Sequence, residues 1–556
     1  MRHKISLAVT YAPQVFDTRG KLMGRQQAGL GFLRAALSAR PDRIDCHAQD
    51  GQAAQIFAAD VAGLTSTPPE IRYIPWSQPG RLAEAGLLYR ADPGIAEDGW
   101  RRRTHASARA YSLCGITHTL SSHSAMAMLA NLAAAPLYPW DAVICTSTAA
   151  RDVARKLLED QAEYLSARLG ATQLPLPQLP LIPLGVNVDD FAFVADKRAQ
   201  SRAALGLTEA DVAALFVGRL VFHGKAHPLP MFAGLERAAQ RTGKPVTLIL
   251  FGQSPNLPVA EAFKAEAARF APSVRLIVLD GGEEANRVTA FAAADLFTSL
   301  SDNIQETFGL TPLEAMAAGL PVVVSDWDGY KDTVRDGIDG FRVRTLAPPP
   351  GAGGDMADRY DLALDSYDIH IGAVSQFVAV DVEAAAQAYA QLIADPDLRA
   401  RMGAAGQARA RQSFDWSVVF ARYVALWEEL AERRRADPLS ADEQSRTRRP
   451  DRPDPFTLFA SFPTGVIGPQ TRLSLVPGSD ATAAEARRAL ASVNYASASL
   501  PPPAAVARVL AALAAGAATQ ADVAAALPGM PAAGLARTTA WLIKMGLVTS
   551  PPGGHE

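Results

Sequence analysis

The chain has 556 residues, 49% hydrophobic and 20% charged, with a net charge of −3. That length supports two large domains and a smaller third, and the charge balance lacks the basic excess that nucleic-acid binding demands. Cys46, Cys114 and Cys145 show no metal-type pairing and no disulfide framework, no run of 18 apolar residues occurs, and Met1-Arg2-His3-Lys4-Ile5 has no secretory core, so the expected location is cytoplasmic, free or peripheral to the inner face of the membrane.

Residues 5–10 form an apolar strand. Residues 11–24 are a loop containing Gly20 and Gly24, and 26–39 are apolar at helical spacing through Leu30, Leu33 and Leu37. Strand, glycine loop and helix open a doubly wound α/β domain. Further strands are expected at 71–75, 111–117, 142–146 and 181–184, and Ser147 opens a helix to Leu169. His118 follows the C-terminal end of the 111–117 strand, the edge where open α/β sheets bind ligands, with His123 as its competitor. Residues 172–183 are a proline-rich surface connection.

A second α/β domain begins near Ala213, with strands at 213–217, 246–251, 274–279 and 295–300 separated by helical stretches. Arg219 stands at the end of its first strand and Lys225 six residues on. Residues 348–354 are a proline- and glycine-rich break, 355–380 an insertion, and 416–435 a long amphipathic helix. Residues 436–455 mix Asp, Arg, Pro and Ser as a linker does. The expected organisation is a Rossmann-like domain at 1–200, a second at 201–435, the linker at 436–455 and an alanine-rich module at 456–556. In that module, helices at 503–516, after Thr519 and at 531–546, with a strand at Leu547-Val548, resemble a winged-helix module. Between residues 532 and 545 only Arg537 and Lys544 are cationic, which opposes DNA binding. The module is expected to dock on protein: its own chain, a second copy, or a carrier of the substrate.

The most informative stretch runs from Ser301 to Val324. It is a loop, a helix that Thr311 can cap with Pro312 in its first turn, a stop at Gly319 and a buried strand at 320–324. Glu306 lies before the helix and Glu314 one turn inside it. A helix N-terminus seats phosphate, and flanking carboxylates accept hydrogen bonds from hydroxyls, so the implied ligand is a phosphate with hydroxyls on both sides. The rival reading of Thr311-x-x-Glu314 is a capping box that only satisfies backbone donors.

Glu306 and Glu314 with seven residues between them, Phe308-Gly309-Leu310 inside, and Ala315-Met316-Ala317-Ala318-Gly319-Leu320-Pro321-Val322-Val323 after them resemble the signature of the family-4 retaining glycosyltransferases with the GT-B fold. Gly329 and Asp336-Gly337-x-x-Gly340-Phe341 extend the resemblance, which is best over 215–343 and ends near Arg435. It implies two Rossmann-like domains facing a cleft, with Ile182-Pro183-Leu184-Gly185-Val186-Asn187 joining them and the 416–435 helix crossing back to the first. It implies a nucleotide-sugar donor, retention of configuration, and no metal or cofactor. Glu306 would face the sugar hydroxyls and Glu314 the ribose. Arg219 and Lys225 would bind the diphosphate, the backbone of Phe308, Gly309 and Leu310 would face the donor, Gly24 the donor phosphates, and His118 the donor sugar. A nucleotide-sugar epimerase or phosphorylase-like enzyme and a nucleotide-sugar sensor are the alternatives; the intact charged set opposes the sensor.

Overall fold

Six parallel strands build the first sheet: β1 (Leu7–Thr10), β2 (Arg43–Ala48), β3 (Glu70–Pro75), β4 (Leu87–Tyr89), β5 (Ser112–Ile116) and β6 (Ala142–Ile144), in the order β3-β2-β1-β4-β5-β6. Six more build the second: β7 (Val212–Val217), β8 (Val246–Gly252), β9 (Val274–Asp280), β10 (Leu296–Ser299), β11 (Val322–Ser325) and β12 (Gly340–Val343), in the order β12-β11-β10-β7-β8-β9. Both orders are doubly wound, with the direction of winding reversing beside β1 and β7. This is a computed structural model describing residues 7–11, 24–438 and 448–551. The interior of the glycine loop, including Gly20, and residues 439–447 of the expected linker lie outside the described residues.

Two strands of the first sheet are not marked by an apolar run of strand length. β2, Arg-Ile-Asp-Cys-His-Ala, buries Asp45 and His47. Asp45 is held by Arg43 at 2.9 Å and Arg72 at 2.6 Å, so pairing rather than polarity decides its place. β4 is only three residues long. Conversely, residues 181–184 make no strand. Pro180 and Pro183 supply no N–H, and only isolated bridges join Gln178 to Ala142 and Leu181 to Cys145.

Position within the first sheet depends on a wholly buried ion pair. Arg102 donates to Asp141 through Nη1 at 2.7 Å and Nη2 at 2.6 Å, and to the Tyr111 carbonyl at 2.7 Å. Asp141 also accepts from the N–H groups of Leu113 and Tyr138, each at 2.9 Å. This fixes the entry to β5, and therefore the loop after it that carries His118.

The helix Trp416–Ala436 crosses back to the first domain. Phe32, Tyr89, Tyr423 and Trp427 form one aromatic cluster, with Phe32 stacked on Tyr89 at 4.2 Å. Arg434 donates to Ser112 Oγ at 3.0 Å. The two connections between domains run side by side: Val186 N–H donates to Phe414 O at 2.8 Å and Trp416 N–H to Val186 O at 3.1 Å. Trp416 fits between Gly31 and Gly185, where an added Cβ would lie 2.1 and 2.5 Å from the indole.

The insertion after β12 is a hairpin of two helices, Gly354–Asp361 and Tyr367–Ser375. It returns through Ala379–Val380, antiparallel to Thr345–Leu346. These elements all belong to one compact unit, Met1–Arg449; Pro450–Glu556 is the other. Within the latter, helices Pro503–Ala514, Gln520–Ala526 and Ala532–Lys544 close around Val509, Val523, Leu535 and Leu542. Ser474–Leu475 pairs antiparallel with Val548–Thr549, and Thr519 forms a capping box with Asp522.

Replacing Gly31 by Ala tests the Trp416 seat. Helix propensity alone favours Ala by about 1 kcal/mol, but overpacking a buried ring costs about 1–3 kcal/mol. The substitution is expected to lower stability in a denaturant titration; a rise would show that the indole moves aside freely.

Candidate functional site

A cleft of about 790 Å³ opens between the two domains, lined by Gln27 and His118 from the first and by Arg219, Lys225, Glu306 and Glu314 from the second. It lies beyond the C-terminal ends of both sheets, as a ligand site in open α/β sheets should.

The loop before the second-domain helix is pinned from several sides. Ser301 Oγ donates to Lys225 O at 3.1 Å, and Ser325 Oγ donates to Ser301 O at 2.5 Å. Asp302 accepts from the His227 N–H at 3.2 Å, and burial pushes its carboxyl up to about 7. Asn303 donates to His223 O at 2.5 Å, and Trp327 Nε1 donates to Asn303 O at 3.1 Å. The loop thus holds the segment that carries Lys225.

Glu306 and Lys225 form a direct ion pair, with side chains 16% and 18% exposed. Burial raises the Glu306 carboxyl, but the Lys225 ammonium and the N–H groups of Phe308 and Thr307 outweigh it and hold the group below its ordinary value. The Phe308 N–H, expected to face a donor, is therefore engaged by Glu306, and the Phe308 ring is buried. Arg219 donates from Nη2 to Gln305 Oε1 at 2.9 Å.

The helix Leu310–Ala317 starts at Gly309, not Thr311. Gly309 has φ +84°, and a Cβ there would lie 2.0 Å from the Tyr330 ring. Tyr330 in turn hydrogen-bonds Ser299 at 2.8 Å. Gly329 permits the reciprocal approach, since its Cβ would meet Phe308 Cα at 2.5 Å. Thr311 Oγ1 is buried without a hydrogen-bond partner, so the capping box of Thr311 and Glu314 is not formed. Pro312 occupies the third helical position, where its missing N–H costs nothing. Gly319, at φ +78°, follows the helix as its sequence position suggests.

Glu314 therefore lines the cleft instead of serving its own helix. Burial pushes its carboxyl up to about 7, against the opposing charges of Arg287 and Lys225. His118 lines the cleft in the loop after β5, while His123 opens the next helix and stacks on Tyr360 at 3.6 Å. Gly24 is the first residue of the helix Gly24–Ser38.

Sequence reasoning missed four residues here. Arg287 lies on the amphipathic helix Glu284–Ala293, where a cation is normally just solvated, yet it lines the cleft and stacks over Phe191 at 5.0 Å. Gln305 and Tyr367 also line it. Asp328, at φ +36°, is half-buried near Glu306; burial, then the Glu306 charge, raises its carboxyl well above the ordinary value. Among the described residues no group of three His, Cys, Asp or Glu side chains could hold a metal ion. No described helix is long and apolar enough to cross a membrane.

A family model described as glycosyl transferases group 1 matches residues 197–361. The phosphatidyl-myo-inositol mannosyltransferase of Mycobacterium tuberculosis (strain ATCC 25618 / H37Rv) is 30% identical over 250 residues, covering 45% of this chain and 54% of that protein. The D-inositol 3-phosphate glycosyltransferase of Mycobacterium sp. (strain KMS) is 32% identical over 202 residues, covering 35% and 44%. The chain thus spans about half the length of the curated relatives it matches. Among solved structures, Anabaena Alr3699/HepE in complex with UDP superposes with a TM-score of 0.50 at 18% identity, covering 76% of this chain and 99% of that one. The chain has this GT-B fold, two Rossmann-like domains facing a cleft, and its second domain is related in sequence to these glycosyltransferases.

The raised Glu314 carboxyl carries a stability signature. The folded chain keeps a proton that the unfolded chain releases above 4.5, so this group's unfavourable contribution grows as pH rises from 4.5 to about 7. Glu314→Gln removes it. The variant is expected to gain roughly 1–3 kcal/mol at pH 8, at 1.36 kcal/mol per unit discounted for water in the cleft, and less at pH 5.5. Equal effects on thermal unfolding at the two pH values would contradict the assignment.

Proposed function

We propose that the protein is a retaining glycosyltransferase that moves a sugar from a nucleotide-sugar donor to an acceptor hydroxyl. The observation that carries this reading is the Lys225–Glu306 pair, beside Arg219 and in front of a helix N-terminus with Glu314 behind it. Cations suit a diphosphate, and carboxylates suit the hydroxyls on either side. The names of the relatives support it: a mannosyltransferase and a glycosyltransferase, with UDP bound in the structural neighbour.

In this reading the donor divides the ion pair. Lys225 turns to the diphosphate, and Glu306 accepts from sugar hydroxyls. Glu314, ionised, accepts from the ribose. The bond from the anomeric carbon to the diphosphate oxygen breaks, and the acceptor oxygen bonds to the same carbon on the same face. The acceptor's proton passes to the departing diphosphate oxygen. Arg219 and Lys225 stabilise the charge developing there, which is electrostatic catalysis without a requirement for metal. His118 faces the sugar from the first domain, and Gly24 borders the donor side. The base and sugar are chosen from UDP-, GDP- and ADP-sugars by thermal protection, because ligand binding raises apparent stability. The 456–556 module, winged-helix-like in its helix order, is assigned to docking on protein; tight, salt-sensitive retention of the full chain on duplex DNA would contradict that.

Arg219→Ala and Lys225→Ala are each expected to lower donor turnover by about one to two decades, since a charge-assisted contact contributes roughly 1.5–3 kcal/mol. Glu306→Gln lowers turnover with little effect on folding, and Glu314→Gln weakens donor affinity even while it stabilises the protein. Parent-level turnover in the Arg219/Lys225 double variant would sink the proposal.

A further inference from the structure

The insertion hairpin reaches across the cleft. Its first helix places Tyr360 between two rings, His123 of the first domain at 3.6 Å and His370 of its own second helix at 4.2 Å. Tyr360 Oη also accepts from the His123 N–H at 3.2 Å. The second helix packs on the loops of the candidate site. A Cβ at Gly372 would lie 2.9 Å from His223 Cβ, and Asn303 donates to Ile371 O at 3.4 Å. The match to the family model stops within this hairpin, at residue 361.

Tyr367 is the centre of a polar chain that joins both domains. Ser121 Oγ, from the first domain, lies 3.0 Å from Tyr367 Oη. Gln305 Nε2 donates to Tyr367 Oη at 3.2 Å, and Arg219 donates to Gln305 Oε1 at 2.9 Å. The direction of its Arg219–Gln305–Tyr367 links is forced. A guanidinium can only donate, so the Gln305 oxygen must face Arg219 and its amide nitrogen Tyr367. The tyrosine then accepts from Gln305, and its hydroxyl pairs with that of Ser121, where either oxygen can be the donor. The chain is complete only when the first domain lies against the hairpin.

We infer that Tyr367 is a positioning residue that makes the presentation of Arg219 to a diphosphate conditional on closure of the two domains. This rests on the diphosphate reading above. Arg219 spends one N–H on Gln305, and the others remain for phosphate oxygens. An open cleft removes Ser121, loosens Tyr367 and Gln305, and frees the guanidinium to wander. A closed cleft fixes it where the leaving group develops charge.

The test is a double-mutant cycle on the full chain, with inorganic pyrophosphate as the probe. Tyr367→Phe keeps the ring and removes the hydroxyl; Ser121→Ala removes the partner in the other domain. Each is expected to weaken pyrophosphate binding roughly three- to ten-fold, the size of one net hydrogen bond. In an Arg219→Ala background the further loss should be under about two-fold, because the residues act as one unit. With a nucleotide-sugar donor, kcat should fall by the same factor while thermal unfolding stays unchanged. Equal losses in both backgrounds, no loss in either, or a parent chain that does not bind pyrophosphate would overturn the inference. Absence of turnover by the parent with every donor contradicts the transfer reading alone, and the pyrophosphate cycle still decides the relay. If Tyr367→Phe does not fold, Ser121→Ala carries the same comparison.

Discussion

An ammonium and a carboxylate share the floor of a half-enclosed cleft, and the ammonium helps hold the carboxylate ionised against the cost of its burial. Removing one member of such a pair costs up to about 3–5 kcal/mol when it is fully buried. Here some water reaches it, so the cost is smaller, but the surroundings are built around both charges. Gly218 leaves room for the Lys225 side chain, whose Cε lies 3.1 Å from where a Cβ would stand. Thr307 and Phe308 turn their N–H groups to Glu306. The pair is therefore a matched set of charges that an anionic ligand with hydroxyls can exchange for its own.

Precision at this point depends on elements far apart in the chain. Ser301, Asp302 and Asn303 bind the backbone around Lys225, Trp327 binds the loop from β11's far end, and the insertion packs on both loops. The first domain is held against them by the Trp416–Ala436 helix, whose register is set by Trp416 between two glycines. Burial of polar groups is tolerated here because almost all of them have fixed partners, and the resulting rigidity is what a site for a developing charge needs. Glu314 and Asp328 keep raised carboxyls even so, as does Asp302 despite its His227 partner, and these mark where the structure gives up stability.

The doubly wound architecture was legible because strands such as β7, β8 and β11 are continuous apolar runs bounded by glycine. β2 was not, since its inward positions include Asp45 and His47, which only a tertiary ion pair and a backbone partner make tolerable. Residues 181–184 are apolar enough for a strand, but the prolines remove the donors it needs. The start of the Leu310–Ala317 helix was misplaced for a related reason. Thr311 is a good capping residue in isolation, whereas the close approach of Gly309 to Tyr330 decides the geometry. Glu306, Glu314, Arg219, Lys225 and His118 all reach one cleft, as their order along the chain suggests. Arg287 and Tyr367 join them through the packing of their helices, which no local pattern encodes, and Gln305 sits beside Glu306 in the same loop.

A crystal structure with a bound nucleoside diphosphate tests the central claim most directly. The account predicts phosphate oxygens within hydrogen-bond reach of Arg219 and Lys225, the nucleoside ribose against Glu314, and Lys225 withdrawn from Glu306. A diphosphate bound elsewhere, or one bound in the cleft with the Lys225–Glu306 pair intact and neither cation touching it, would contradict the account.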